Sequence, residues 1–374
     1  MRPTLPWLFL FAVGCAPQVA APPGSSSPSR EPWTLESVTP DTTDGIRILV
    51  LHDMEGLSGQ SDPRSFDFGT AQYPTGQALL AADINAVVEG LFAGGATEVE
   101  VVDGHGSGNP DPDVRRDLLD SRATQVLRDQ DVDAYFDLVT PKAYDGVAVV
   151  GMHAKTGSRG FASHTFTLGM GIVINGREIT ETELVGLSWG RQSIPVIFGS
   201  GDDRLAADLA GMTWLEFVTV KTATAADSAT LRPIAEARAD LTASAKKAVE
   251  NLRAGRTRAM RVAAPLVAGL KAVPPASLAM LEGIPGIPYA DSTLTFPADS
   301  LRHAYDVIVK LVNVASGGYM GVLRQGLRAH RAGPEIIKNF GTALTQSWFD
   351  YESGRWRPPA PPPPPAARKH HGYR

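Results

Sequence analysis

Residues 46–56 read IRILVLHDMEG, and the fold follows from this stretch and its neighbours. Ile46 to Leu51 is dominated by branched aliphatic residues, the pattern of a strand buried on both faces, and it stops at a short acidic segment closed by Gly56. Next comes TGQALLAADINAVVEGLF, residues 75–92. Here Leu79, Leu80, Ile84, Val87, Val88 and Leu91 recur at helical spacing, and Gly94-Gly95 ends the run. A second buried-strand pattern, Val99 to Val102, follows at once. Strand, long helix, strand is the unit of a parallel sheet. Gly146 to Gly151 (GVAVVG), Ile194 to Phe198 (IPVIF) and Phe217 to Val220 (FVTV) repeat the strand pattern, while Arg232 to Leu252 and Leu301 to Val314 repeat the helical one. Met260 to Val273 is apolar and fits either a strand or a helix. The expected fold is α/β: a three-layer αβα sandwich around a largely parallel sheet, with a smaller α/β subdomain. No internal repeat is visible.

Of the 374 residues, 43% are hydrophobic and 20% charged, which is enough apolar material for a sizeable core. Net charge is −5 and no segment gathers a row of Lys and Arg, so nucleic acid is not an expected partner. Residues 1–15, MRPTLPWLFLFAVGC, place Arg2 ahead of the apolar stretch Leu5 to Val13, then Gly14-Cys15. That is a signal-peptide layout, too short to span a bilayer. Ala12-Val13-Gly14-Cys15 resembles a bacterial lipobox, with Ala12 where Leu is usual. Cys15 is therefore the expected site of a lipid anchor, and the protein is expected to be exported and held at a membrane on its periplasmic or cell-surface side. It is also the only cysteine, so no intramolecular disulfide can form. Residues 16–45, rich in Pro, Ser, Gly and Thr, are expected to be a tether; 46–355 are the folded domain. Residues 356–374, nearly all proline from Pro358 to Pro365 and ending in Arg368-Lys369-His370-His371 before the last few residues, are a proline-rich basic tail.

Chemistry is concentrated at strand ends, where ligands of open α/β sheets gather. Ile46 to Leu51 runs into Asp53 and Glu55, Val99 to Val102 into Asp103-Gly104-His105-Gly106, and Gly146 to Gly151 into Met152-His153-Ala154. Asp53 and Glu55, two apart on an extended segment, point to the same side. With His105 and His153 they form a mixed nitrogen and oxygen set, which suits zinc better than magnesium or calcium. Without thiolates such a site is catalytic rather than structural in type. Taken singly, each piece is a common turn, cap or hydrogen-bonded histidine; three such strand ends together point to a metal site.

The ordered motifs Asp53-Met54-Glu55-Gly56-Leu57-Ser58-Gly59, Asp103-Gly104-His105-Gly106 with Asn109, Gly151-Met152-His153-Ala154-Lys155-Thr156-Gly157, Ser163-His164-Thr165 and Asn175-Gly176 before Glu181 resemble those of the zinc-dependent D-aminopeptidases, peptidase family M55. The likeness spans nearly the whole folded unit. It implies a metallo-aminopeptidase acting on small peptides or amides, two zinc ions held by Asp53, Glu55, His105, His153 and Glu181, a catalytic histidine at His164, and assembly into a ring-shaped homo-oligomer. Asn175 to Glu183 departs from the family's usual Gly-Glu after the turn, and Glu178, Glu181 and Glu183 all offer a carboxylate. Glu181 matches by its distance from Asn175-Gly176. Two other readings use the same residues: a binuclear-metal phosphoesterase, with Lys155, Arg159 and Arg177 as the nearby cations, and a non-catalytic lipid-anchored binding protein. Asp202, in the loop Gly199 to Asp203, is expected to support the site or to meet a substrate amine. His303 and His330 are expected to be structural.

Overall fold

The computed structural model describes residues 32–127, 133–283 and 288–360. The leader with Cys15, residues 16–31 of the expected tether and residues 361–374 of the expected tail lie outside them. In chain order the elements are β1 (Thr34–Val38), β2 (Arg47–His52), α1 (Tyr73–Gly94), β3 (Glu98–Asp103), β4 (Thr124–Gln125), β5 (Gly146–Val150), β6 (Met170–Ile174) and β7 (Arg177–Ile179). They continue with α2 (Glu181–Gly190), β8 (Val196–Asp202), α3 (Asp203–Asp208), β9 (Glu216–Ala225), β10 (Ser228–Leu231), α4 (Ile234–Arg253) and β11 (Thr257–Arg261). The last are β12 (Leu266–Ala272), β13 (Tyr289–Ala290), β14 (Thr293–Ala298), α5 (Leu301–Ala329) and α6 (Gly333–Glu352).

The main sheet has the order β10-β9-β8-β5-β2-β3-β4, parallel throughout except for the β9–β10 hairpin. Side chains alternate across it as strand geometry demands. Ile48, Val50, Ala148 and Val150 pack beneath α1 and α4, while Leu49, Leu51, Val147 and Val149 face the opposite core with α2. That second core is closed by an antiparallel sheet of order β13-β14-β12-β6-β7, on which the start of α5 rests through Tyr305 and Ile308. The main fold is thus α/β around a mostly parallel sheet. His52 stands level with Asp103 on one side and Val150 on the other, so three strands finish at one edge. The ambiguous segment 260–273 resolves into the end of β11 and all of β12.

Residues 34–38 correct the expected tether boundary. They form β1, paired antiparallel with β11 from Thr34 opposite Arg261 to Val38 opposite Thr257. Trp33 is buried, with the Arg177 guanidinium 4.5 Å from its ring centroid. A short Thr-Leu-Glu-Ser-Val run has little local signal, and its partner strand lies far along the chain. Helix α5 runs on well past Val314, and α6 has no counterpart among the sequence expectations. Among the described residues, no helix is long and apolar enough to cross a membrane.

The α1 and α4 backbones touch at glycine. A Cβ at Gly90 would lie 2.2 Å from the carbonyl oxygen of Thr242. Gly90→Ala should therefore push α4 away and cost about 1–3 kcal/mol, typical of overpacking, lowering the thermal midpoint by several degrees. Metal binding per folded molecule should be unchanged; an unaltered midpoint in calorimetry would show that the helices separate freely.

Candidate metal centre

Beyond His52 the chain continues against its neighbour: the Asp53 amide donates to Val150 O at 2.8 Å and the Gly56 amide to Gly151 O at 2.7 Å. This close approach leaves no room for a side chain at Gly56, where a Cβ would sit 2.0 Å from Met152 O. The Asp53 and Glu55 side chains are consequently fixed, both 3% exposed, at the edge where His105 and His153 arrive. Glu181 comes from elsewhere. Thr180 caps α2 in a capping box with Glu183, which projects Glu181 from the first turn, where a helix favours negative charge. Of the three competing glutamates, Glu178 pairs with Lys271 at 2.6 Å and Glu183 with Thr180 and Arg177; Glu181 is the one beside His153.

Three groups of potential ligand atoms lie within 4.8 Å of one another: Asp53, Glu55 and His105; Asp53, His153 and Glu181; and Glu55, His153 and His164. Asp53 is common to the first two. His105 Nε2 is 3.3 Å from Glu55 Oε1, while His153 Nε2 is 3.4 Å from Asp53 Oδ2 and 3.6 Å from Glu181 Oε1. His153 Nε2 is buried and makes no hydrogen bond of acceptable geometry, an orphan of the kind a cation would satisfy. His153 Nδ1 donates to the Ala154 carbonyl at 3.0 Å, so on a neutral ring the Nε2 lone pair faces the carboxylates. The donor set, three carboxylates and two imidazoles without sulfur, fits zinc.

The charges respond to one another. Burial pushes Asp53 up, and the nearby Glu55 charge adds to that. Burial also opposes ionisation of Glu55, but the His105 imidazole outweighs it and holds the carboxyl well below its usual range. Burial works against a proton on His105, yet Glu55 and Asp113 raise it well above normal. His153 is likewise disfavoured by burial but is lifted to about 10 by Glu181 and Asp53. His164 goes the other way, lowered by burial and then by the His153 charge. Its ring stacks on His153 at 3.9 Å and 14°, and its Nδ1 donates to Ala162 O at 2.8 Å.

With this geometry in view, comparison with known proteins is decisive for the family. The sequence profile described as D-aminopeptidase, peptidase M55, matches residues 46–309, well over half of the chain. The chain belongs to the D-aminopeptidase family. A D-aminopeptidase of Bacillus subtilis strain 168 is 28% identical over 166 residues, 44% of this chain and 58% of that protein, so the match spans little more than half of the relative's length. The solved structure of the zinc-dependent D-aminopeptidase DppA from Bacillus subtilis, a self-compartmentalizing protease, shares the fold. Its TM-score is 0.64 at 22% identity, covering 73% of this chain and 99% of that one.

Several supporting residues of this family member escape sequence reading. Asp113 Oδ2 lies 2.6 Å from His105 Nδ1, while its Oδ1 accepts from Ser107 Oγ at 2.7 Å and from the Tyr73 hydroxyl. Such a carboxylate behind a ligating histidine orients the ring, and a search for an acid near His105 could have found it. The Tyr135 hydroxyl donates to Glu181 Oε2, and the Phe166 amide to Glu181 Oε1 at 2.6 Å. Lys221 is wholly buried, 3.8 Å from the Phe161 ring centroid, and donates to Glu55 O at 2.5 Å and Gln60 Oε1 at 2.9 Å. Burial draws its pKa down to about 7. Asp202 Oδ1 caps α3, and its Oδ2 accepts from the Phe161 amide at 2.7 Å. It thereby supports the loop that carries His164. His303 and His330 are exposed on and just after α5.

Asp113→Asn should weaken divalent-metal affinity roughly 10- to 100-fold, the usual effect of losing such a partner, with little change in thermal midpoint. A chelator-competition titration reads this directly, and equal affinities would dismiss the orienting role.

Proposed function

We propose that this chain is a two-zinc aminopeptidase that removes an N-terminal residue, of D-configuration by family likeness, from short peptides or amides. The observation that carries the reading is Asp53, shared between two cation-sized groups while His164 stacks just outside them. Asp53, Glu55 and His105 would hold one zinc, and Asp53, His153 and Glu181 the other. Zinc held there would supply Lewis-acid stabilisation of the negative charge that develops on a substrate carbonyl oxygen.

The chain's own residues supply the rest. His164, kept neutral, has its Nδ1 proton engaged by Ala162 O and so presents Nε2 as base or nucleophile. Tyr135 and the Phe166 amide occupy the two Glu181 oxygens and hold that side chain in place. Facing carboxylates make His105 and His153 hold a proton more strongly, so metal binding, which needs the unprotonated rings, should tighten as pH rises. A cavity of about 380 Å³ adjoining Glu55, His105 and His164 has the size of a small-molecule site. The self-compartmentalizing relative supports assembly of this chain into a homo-oligomer enclosing such sites.

Asp53→Ala should remove most bound zinc, because it takes a carboxylate from both groups at once. His164→Ala should leave zinc content intact and lower kcat by at least roughly 100-fold, the scale of a lost general base. Metal analysis, thermal midpoint and kcat for D- and L-aminoacyl amides on the same preparations decide the matter. Near-normal kcat in the His164 variant would remove it from the chemistry, and full metal content in the Asp53 variant would show that the ligands lie elsewhere.

Export and anchoring at Cys15 complete the proposal, on the strength of Arg2, the apolar run and the lipobox-like Ala12-Val13-Gly14-Cys15. Cys15→Ser should release the protein from membranes in a fractionation experiment; equal retention of both forms rejects the anchor.

A further inference from the structure

We propose that the last turn of α6 builds an aromatic subsite into the cavity beside His164, selecting substrates whose N-terminal side chain is aromatic or large and apolar. The chemistry rests on the aminopeptidase reading, whereas the selectivity rests on α6 itself, which lies wholly beyond the family match ending at residue 309.

The cavity has Glu55, His105 and His164 among its lining residues, with Phe66, Leu168, Trp348 and Phe349 beside them. Trp348 meets the His164 ring edge-on, centroids 5.5 Å apart at 86°, and stacks on Phe349 at 4.7 Å and 23°. Phe66 approaches His105 in the same edge-on manner, at 6.4 Å and 83°. The two imidazoles therefore each carry an aromatic neighbour at the cavity wall, the kind of surface on which an aromatic ring packs favourably. Asp67 also lines the cavity, and the guanidinium of its one arginine, Arg64, is paired with Asp62 at 2.7 Å.

Trp348 is fixed where it stands. Its indole Nε1 donates to Ser163 O at 2.9 Å, one residue before His164. At the end of α6, Glu352 Oε1 accepts from the Gly157 amide at 2.8 Å and Oε2 from the Arg159 amide at 3.4 Å, and Ser353 Oγ accepts from the Ala226 amide at 2.9 Å. The loop so fastened holds Arg159, Ala162 and Phe166 at φ of 58°, 54° and 70°, a backbone that persists only when its surroundings enforce it. The helix is thus an integral wall of the site.

The test is calorimetric binding to the zinc-loaded full chain of D-phenylalaninol and D-alaninol, which carry an amine and a side chain but no scissile bond. D-Phenylalaninol should bind roughly 10- to 100-fold more tightly. Trp348→Leu and Phe349→Leu should each bring the ratio down towards one with zinc content retained. Phe66→Leu, away from the α6 anchor, should lower it too and decides the question if either α6 variant fails to fold. A wild-type ratio near one, or a ratio unchanged in the folded variants, overturns the subsite. Hydrolysis of D- and L-aminoacyl amides is assayed in parallel. Discrimination between the alcohols without hydrolysis leaves the subsite standing and rejects the aminopeptidase reading, and hydrolysis without discrimination does the reverse.

Discussion

Asp53 is buried with carboxylate oxygens of both Glu55 and Glu181 within 4.8 Å, and His105 and His153 complete the two groups. Desolvating an ion costs several kcal/mol unless charge and hydrogen bonds compensate, so the surrounding structure has to deliver that compensation at fixed positions. The parallel register does the coarse part by ending β2, β3 and β5 together. Finer placement comes from groups that touch the ligand-bearing loops. Lys221 donates to the Glu55 carbonyl from beneath, Asp113 grips His105, and Tyr135 and the Phe166 amide grip Glu181. Each spends a buried polar atom on orienting another, which is tolerable because the network satisfies its members mutually.

A second constraint is the loop between His153 and β6. With several non-glycine residues in the left-handed region, it does not hold its form by local preference. Its fixings come from distant elements: Asp202 at the start of α3, Ala226 in the β9–β10 turn, whose carbonyl accepts from the Ala162 amide at 2.8 Å, and Glu352 at the end of α6. The position of His164 therefore depends on the chain folding through its last helix. This links the stability of the C-terminal region to the chemistry at the sheet edge.

Legibility in the sequence tracks how local each signal is. The strands at 46–51, 99–102 and 146–151, the helix at 75–92 and the polar residues closing the strands are all contiguous patterns, and they lead to the α/β fold and to the set Asp53, Glu55, His105, His153. Glu181 and His164 needed ordered family motifs, since three glutamates within six residues look alike until a capping box sorts them. β1 was hidden because five alternating residues acquire meaning only from β11. Asp113, Tyr135 and Lys221 carry no motif; each is an ordinary residue whose partner is remote in sequence. Trp348 and Glu352 are harder still, as nothing in their helix names the loop that it holds.

The pair His153 and His164 shows how position alone sets identical side chains apart. Their rings are parallel and nearly in contact, and each directs Nδ1 to a backbone carbonyl, Ala154 O in one case and Ala162 O in the other. Burial lowers the affinity of both for a proton. His153 has Glu181 and Asp53 against its Nε2, which reverses the effect, whereas His164 feels the His153 charge more strongly than those of Glu55 and Glu181 and stays low. The ring beside Asp53 and Glu181 thus holds a proton strongly, and the ring stacked on it holds one weakly. The difference between them therefore resides in the placement of Asp53 and Glu181 rather than in the histidines.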